Sequence, residues 1–221
     1  MSLKIYDWPT GPFPARVRIA LAEKGLLSKV EFERVNLWKA EHKSAEFKQK
    51  FNYSGTVPVL ELEDGTIIAE VNAIITYLDN LDDNQFLTGR TAAQKGVILN
   101  MTRRAELEVQ EAISTYFHNS TPGLGPQVEI YQNKEWGIYQ LEKGLRGLRH
   151  FDDVLQNQPY VAGDEFSMAD IALIGGMLFV SVMNIEVPSD LKALLAWYKK
   201  VQERPSVKQQ ADLGFLDGSI L

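Results

Sequence analysis

The feature that most constrains the fold is a change in hydrophobic pattern about eighty residues into the chain. Before it, short alternating apolar runs take turns with runs of helical period, which predicts the order β-α-β-α-β-β-α. After it, only helical patterns remain. The polar, turn-rich segment DNLDDNQFLTG between the two parts is typical of a domain linker. The sequence therefore predicts an α/β domain at residues 1–82 and an all-α domain at residues 90–221.

Composition narrows the possible partners and chemistry. The net charge of −6 argues against binding to nucleic acid or to an anionic membrane surface. The chain has no cysteine, which excludes a thiolate nucleophile or a thiolate metal site of its own. The three histidines, His42, His118 and His150, show no metal-ligand spacing, so no metal site is expected. The N-terminal MSLKIYDW lacks the apolar run of a signal peptide, and we expect a cytoplasmic protein.

Two helices of the second part begin with capping-box spacing. Thr91 precedes Gln94 by three residues, and Ser167 precedes Asp170 by three. The second start leads into ADIALIGGMLFVSVMNI, the most apolar stretch of the chain. Because this stretch is short for a bilayer and contains an aspartate, it predicts a buried core helix. We interpret Ser167 and Asp170 as folding residues.

The turn between the first strand and the first helix is a candidate anion site. It reads TGPFP, and a helix is predicted over residues 15–24. The first amides of a helix lack intrahelical partners and lie at the positive end of its dipole. The expected free donors are the amides of Gly11, Phe13, Ala15 and Arg16. The alternative is that proline and glycine only shape a tight turn.

Three further features could contact a ligand. In SGTVPVL, a cis bond between Val57 and Pro58 would turn the backbone of Val57 towards an extended peptide ligand; the alternative is an edge-strand proline. Glu70 precedes a predicted helix and could bind an ammonium group, or it could only favour the helix start. His42 and Lys43 could together hold a carboxylate, although a solvated charged loop has the same composition.

Together these features resemble the glutathione transferase superfamily. The segments ARVRIALAEKG, GTVPVLELEDGTIIAE, NAIITYL and YVAGDEFSMADIAL match family blocks in order and spacing. The resemblance implies a thioredoxin-like N-terminal domain, an all-helical C-terminal domain and a homodimer. It also implies glutathione as co-substrate and a hydrophobic electrophile as second substrate. The reaction would be attack of the glutathione thiolate on an electrophilic carbon.

The resemblance also implies roles by position. Val57–Pro58 would pair with the cysteinyl backbone of glutathione, Glu70 would engage its γ-glutamyl end, and His42–Lys43 would face its glycine carboxylate. Val71 stands where the family commonly has serine, so its backbone alone would serve there. Gly11 stands where other classes carry the catalytic serine or cysteine. The sequence is similar to an atypical fungal and bacterial branch that has glycine or alanine there.

Without a classical catalytic side chain, the thiol needs another activator. We expect Gly11 to let the sulfur approach the backbone donors of the turn, and Thr10 to offer the nearest hydroxyl. Ser114 and His118 are four residues apart and share one helix face, so they could hold a water against the sulfur. The alternative is that His118 only complements the helix dipole. Tyr6, in the first strand, is expected in the core.

Two other functions fit the same features. One is a glutathione-binding interaction module with little turnover, which the residues Gly11 and Val71 favour. The other is a peroxidase or dehalogenase that uses the same bound thiolate. The pocket for the electrophile is expected between the domains, lined by the first long helix, the opening turn and the tail around Phe215 and Leu216.

Overall fold

A four-stranded mixed sheet forms the N-terminal unit of the computed structural model, which describes residues 3–210. The strands lie in the order β2-β1-β3-β4; β1 is parallel to β2 and antiparallel to β3, and β3 is antiparallel to β4. The predicted element order is confirmed. The elements are β1 (Leu3–Asp7), α1 (Pro12–Glu23), β2 (Val30–Arg34), α2 (Ala45–Lys50), β3 (Val59–Glu61), β4 (Ile67–Ala69) and α3 (Val71–Asp79).

The central strand β1 organises the core of this unit. Ile5 is fully buried and lies in register with Phe32 of β2 and Leu60 of β3. α1 and α3 contribute buried aliphatic side chains to the same core, among them Leu21 and Ile74. Tyr6 is buried in a second, smaller cluster, as expected. The sheet therefore holds the first turn of α1 and the start of β3 at fixed positions.

Helices alone make up the described part of the C-terminal unit. Both predicted capping boxes are present, at Thr91 and at Ser167. The helix that starts after Thr91 continues to Ser120 and is interrupted by one π-helical segment. The elements are α4 (Ala92–Ala105), the π-helical segment Glu106–Gln110, α5 (Glu111–Ser120), α6 (Lys134–Leu155), α7 (Met168–Val182), α8 (Lys192–Gln202) and α9 (Pro205–Gln210).

The apolar helix α7 is the centre of this unit, as the sequence predicts. Every residue from Met168 to Val180 is buried. Gly175 and Gly176 allow a close approach, because a Cβ atom would lie 2.8 Å from the Arg16 side chain at the first and 2.7 Å from Val109 at the second. None of the helices within residues 3–210 is both long and apolar enough to cross a bilayer.

Prolines begin two of the helices, and one of these starts earlier than predicted. α1 begins at Pro12, three residues earlier than expected, because proline fits the first turn of a helix. For the same reason Pro205 begins α9. α8 begins at Lys192, after a turn with a Leu191 N–H to Pro188 O hydrogen bond.

A buried polar cluster joins the two units. The guanidinium of Arg16 on α1 is fully buried and donates to Glu106 Oε1 and to Gln110 Oε1, at 2.8 Å each. It also donates to Asn72 Oδ1 at 2.8 Å, and Asn72 Nδ2 donates to Glu106 Oε2 at 2.8 Å. Burial alone would raise the pKa of Glu106, but the charge and hydrogen bonds of Arg16, with donors on Asn72 and Arg103, hold that pKa below its usual value. The cluster fixes the start of α3 against the π-helical segment.

Candidate active site

One cleft of about 510 Å³ lies between the two units and collects eight of the ten predicted site residues. Its walls come from the first turn of α1, the segment around Lys43, the start of β3, the start of α3 and the inner face of α5. Thr10 and Gly11 are not among the residues that line it. The structure therefore brings the predicted binding residues together and leaves two predicted catalytic residues aside.

The first turn of α1 offers a single free amide to the cleft. The N–H of Gly11 donates to Trp8 O, and the N–H of Ala15 donates to Gly11 O, at 2.9 Å each. The two prolines of this turn have no N–H, and the amide of Arg16 belongs to the helical ladder. The prediction of four free donors was wrong because the turn and the helix use their own amides. In residues 3–210 the amide of Phe13 has no partner, and Phe13 lines the cleft.

The absence of a side chain at Gly11 has a reason in the packing of the turn. It is buried, and a Cβ atom there would lie 3.0 Å from Pro14 Cδ and 3.3 Å from Trp8 O. The missing side chain therefore makes room for the proline ring inside the turn. Neither Pro14 nor Trp8 is among the residues that line the cleft. Thr10 is half-buried in the same turn, outside the cleft.

The start of β3 presents a free stretch of backbone. The peptide bond between Val57 and Pro58 is cis. Within the described residues, neither the N–H nor the C=O of Val57 has a hydrogen-bond partner, although β3 pairs with its neighbours from Val59 onwards. Val57 can therefore exchange two main-chain hydrogen bonds with an extended ligand.

The segment Glu41–Lys43 places one cation at an end of the cleft, not two. Burial and the neighbouring charge of Lys43 lower the pKa of His42 to about 4, so His42 is neutral at pH 7. The sequence does not show this burial, and a neutral His42 can still donate one hydrogen bond to a carboxylate. Lys43 Nζ donates to Ser54 O at 3.2 Å and Gly55 O at 2.8 Å. No carboxylate within residues 3–210 forms an ion pair with Lys43.

The start of α3 forms another end of the cleft. Glu70 is the N-cap residue and has φ 74° and ψ 122°, a backbone conformation that non-glycine residues rarely adopt. Its exposed carboxylate forms no ion pair among the described residues. Val71 is the first helical residue, so its amide and the next ones lie at the positive end of the helix dipole. This end offers both an acidic side chain and free amides.

The inner face of α5 carries Ser114 and His118, as the four-residue spacing predicts. Ser114 is 7% exposed, and its hydroxyl has no protein partner in the described part of the chain. His118 Nδ1 lies 2.7 Å from Glu129 Oε1, in the loop that follows α5. Both side chains therefore face the space into which the Phe13 amide opens.

Comparisons with known proteins agree with this geometry. Residues 1–80 match the family Glutathione S-transferase, N-terminal domain, and residues 105–205 match its C-terminal domain. Glutathione S-transferase 2 of Saccharomyces cerevisiae is 60% identical over 209 residues, which are 95% of this chain and 89% of the yeast protein. The chain belongs to the glutathione S-transferase family. The fold class expected from the sequence is thereby confirmed.

Two solved structures of the glutathione S-transferase family superpose closely on this chain. The crystal structure of Gtt2 from Saccharomyces cerevisiae has 60% identity and a TM-score of 0.92, covering 94% of this chain and 99% of that one. A glutathione S-transferase domain-containing protein from Marinobacter aquaeolei has 44% identity and a TM-score of 0.90, covering 92% and 99%.

Two acidic residues of this glutathione S-transferase line the cleft without having been predicted. Glu111 begins α5 and lies one turn before Ser114 on the same face, a spacing that could have revealed it. Glu129 lies in the glycine-rich loop, where the sequence carries no signal of its direction. The loop also contributes Leu124 and Val128, which give this side an apolar surface. Phe215 and Leu216 lie outside the described residues.

Proposed function

We propose that the chain transfers the thiolate of glutathione to hydrophobic electrophiles and holds glutathione extended across the cleft. The distribution of unpaired groups in the cleft supports this proposal. Lys43 would bind the glycine carboxylate, the backbone of Val57 would pair with the cysteinyl unit, and the α3 amides from Val71 onwards would bind the γ-glutamyl carboxylate. Glu70 and Glu111 would bind the γ-glutamyl ammonium group.

The role we propose for α1 and α5 is stabilisation of the thiolate. A free thiol has a pKa of ~8.5, so only a few per cent is nucleophilic near pH 7. The Phe13 amide and the α1 dipole would favour the anion. His118 would take up the thiol proton, either directly or through one water molecule, and the Ser114 hydroxyl would donate a hydrogen bond to the thiolate or to that water. Thr10 and Gly11 would shape the turn and not contact the sulfur.

The pH dependence of turnover tests these roles. With glutathione and an activated aryl chloride, Ser114→Ala and His118→Ala are each expected to raise the apparent thiol pKa and to lower kcat at pH 6.5 about tenfold or more. Thr10→Ala is the matched control, because Thr10 lies outside the cleft. If all three variants keep the wild-type profile, the α1 terminus alone activates the thiol.

Three expectations stay predictions. They are the domain limits at residues 1–82 and 90–221, the homodimer and the cytoplasmic location. For the domain limits, α3 ends at Asp79 and α4 begins at Ala92, which is compatible with a linker between them.

A further inference from the structure

The loop between α5 and α6, residues 121–133, is folded around one carboxylate. We propose that Glu129 in this loop is a positioning residue that fixes the imidazole of His118 for removal of the thiol proton. The proposal rests on the function proposed above for His118. It concerns a different element and a different residue, so it can fail while that function stands.

The contact between the two side chains fixes the roles of the imidazole nitrogens. Glu129 Oε1 lies 2.7 Å from His118 Nδ1. An ionised carboxylate can only accept a hydrogen bond, so Nδ1 must be the donor. In the neutral ring the other nitrogen, Nε2, is then an acceptor. Nε2 has no protein partner in residues 3–210, and the His118 side chain, 36% exposed, lines the cleft.

The carboxylate is held by the loop as well as by the histidine. The Glu129 side chain is 8% exposed, and its Oε1 also accepts from the Leu124 amide at 2.9 Å. The Glu129 amide donates to Gly125 O at 2.9 Å, which closes one turn of the loop. Gln132 Nε2 donates to His118 O at 2.8 Å and ties the loop to the end of α5. If the Glu129 side chain turned away, it would lose two hydrogen bonds, those with His118 Nδ1 and with the Leu124 amide.

Gly123 makes the room that this arrangement needs. It is buried and has φ +54°, and a Cβ atom built there would overlap the Glu129 carboxylate. The Gly123 amide donates to the Thr121 hydroxyl at 3.0 Å, and that hydroxyl donates to Phe117 O at 2.7 Å. The segment TPGLGP thus has a structural purpose: it leads the chain off α5 and brings a carboxylate back to the last turn of that helix.

Other charges near the pair suggest a second possible role for Glu129, which the experiment must distinguish from its role through His118. The charge of Glu129 acts on Lys43, and His118 lies near enough to His42 to influence its titration. Glu129 could therefore affect the binding of the glycine carboxylate through Lys43. A role through Lys43 changes KM for glutathione, whereas a role through His118 changes kcat and the rate of proton removal.

The proton transfer balances within these groups and glutathione. The S–H bond breaks, the proton moves to His118 Nε2, directly or through one water, and the electron pair stays on sulfur. The resulting imidazolium is compensated by the Glu129 carboxylate. The thiolate then forms a bond to the electrophilic carbon, whose leaving group departs with its electron pair, and the imidazolium returns the proton to solvent.

A double-mutant cycle tests the proposal. Glu129→Leu removes charge and acceptor, and we expect kcat at pH 6.5 to fall about tenfold or more, with KM for glutathione changed less than about threefold. In a His118→Ala background the same substitution should change kcat less than about twofold, because it acts through the missing ring. Glu135→Leu, an exposed glutamate in the first turn of α6, is the matched control and should behave as wild type.

Two further variants distinguish geometry from charge. Glu129→Gln keeps an acceptor for Nδ1–H, so we expect a smaller loss of kcat than in Glu129→Leu. Gly123→Ala keeps both residues but displaces the Glu129 carboxylate, and it should match Glu129→Leu. NMR of the imidazole nitrogens should show the Nδ1–H form in wild type and a mixture of tautomers in Glu129→Leu.

Three results would overturn the proposal. One is an equal loss of kcat from Glu129→Leu with and without His118. Another is wild-type kcat for Glu129→Leu in the presence of a clear loss for His118→Ala. The third is the Nε2–H tautomer in the wild-type protein. An unaffected His118→Ala variant would contradict the proposed role of His118 itself, and a change in KM alone would assign Glu129 to Lys43.

Discussion

Replacement of Glu106 should destabilise the whole protein, because this carboxylate is the anionic partner of a fully buried guanidinium. Arg16 is 0% exposed, and its nearest carboxylate oxygen is Glu106 Oε1 at 2.8 Å. Glu106 also accepts from Asn72 at 2.8 Å and from Arg103 at 2.7 Å. Glu106→Leu would leave the buried positive charge of Arg16 without a counter-charge and would leave the Asn72 amide without an acceptor.

The expected loss of unfolding free energy follows from this geometry. Removal of one partner of a buried ion pair typically costs about 3–5 kcal/mol, since the remaining charge stays in a poorly solvating interior. For a chain of this length, that corresponds to a fall in Tm of roughly 6–20 °C. The folded-state pKa of Glu106 lies below its ordinary value of 4.5, so its stabilisation is complete above that pH and is lost as the pH falls through the folded-state pKa.

Urea unfolding of wild type, Glu106→Leu and Glu108→Gln measures this prediction at pH 7. Glu108 belongs to the same π-helical segment, but its contact with Arg104 is 3.3 Å long and partly exposed, so its substitution should cost under about 1 kcal/mol. The reasoning is refuted if Glu106→Leu costs less than about 1 kcal/mol, or if both substitutions cost the same. Arg16→Met combined with Glu106→Leu should lose less than the two single changes together, because no unpaired charge remains.

Two predictions concern the segment with His42 and Lys43. Lys43→Gln should raise KM for glutathione by about 10-fold or more with kcat nearly unchanged, since a charged hydrogen bond to the glycine carboxylate is lost. Steady-state kinetics measure this change, and Lys39→Gln, at an exposed lysine, is the control. Equal KM values for Lys43→Gln and Lys39→Gln would contradict the prediction. His42 has a folded-state pKa of about 4 against an ordinary 6.5, so between these pH values only the unfolded chain takes up its proton, and stability should fall by up to roughly 3 kcal/mol as the pH drops. Urea unfolding at pH 7, 5.5 and 4 should show a weaker pH dependence for His42→Gln, and an identical dependence would exclude His42 as the cause.

Features that depend on neighbouring residues could be predicted from the sequence. The capping boxes at Thr91 and Ser167 need only a four-residue pattern, and both are present. The shared helix face of Ser114 and His118 has the same local origin. Local backbone geometry determines these features, so they do not depend on tertiary contacts.

Features set by tertiary contacts could not be predicted in the same way. Burial lowers the pKa of His42, and the charged sequence around His42 does not show that burial. The Gly11 amide is unavailable because the turn folds back on Trp8, which the composition of the turn does not show. Glu129 contacts His118 only through the path of an irregular loop. In each case the deciding contact lies outside the motif that the sequence displays.

The π-helical segment Glu106–Gln110 also determines how such sites should be compared between related chains. A π-helical turn accommodates one residue more than an α-helical turn. Each residue after Gln110 therefore lies on the helix face that the residue one position earlier would occupy in an uninterrupted α-helix. Each position corresponds to about 100° of rotation. In a homologue without the extra residue, the positions equivalent to Ser114 and His118 would lie one residue nearer the start of the helix. Alignment by sequence distance alone would then pair these two residues with side chains that point away from the cleft.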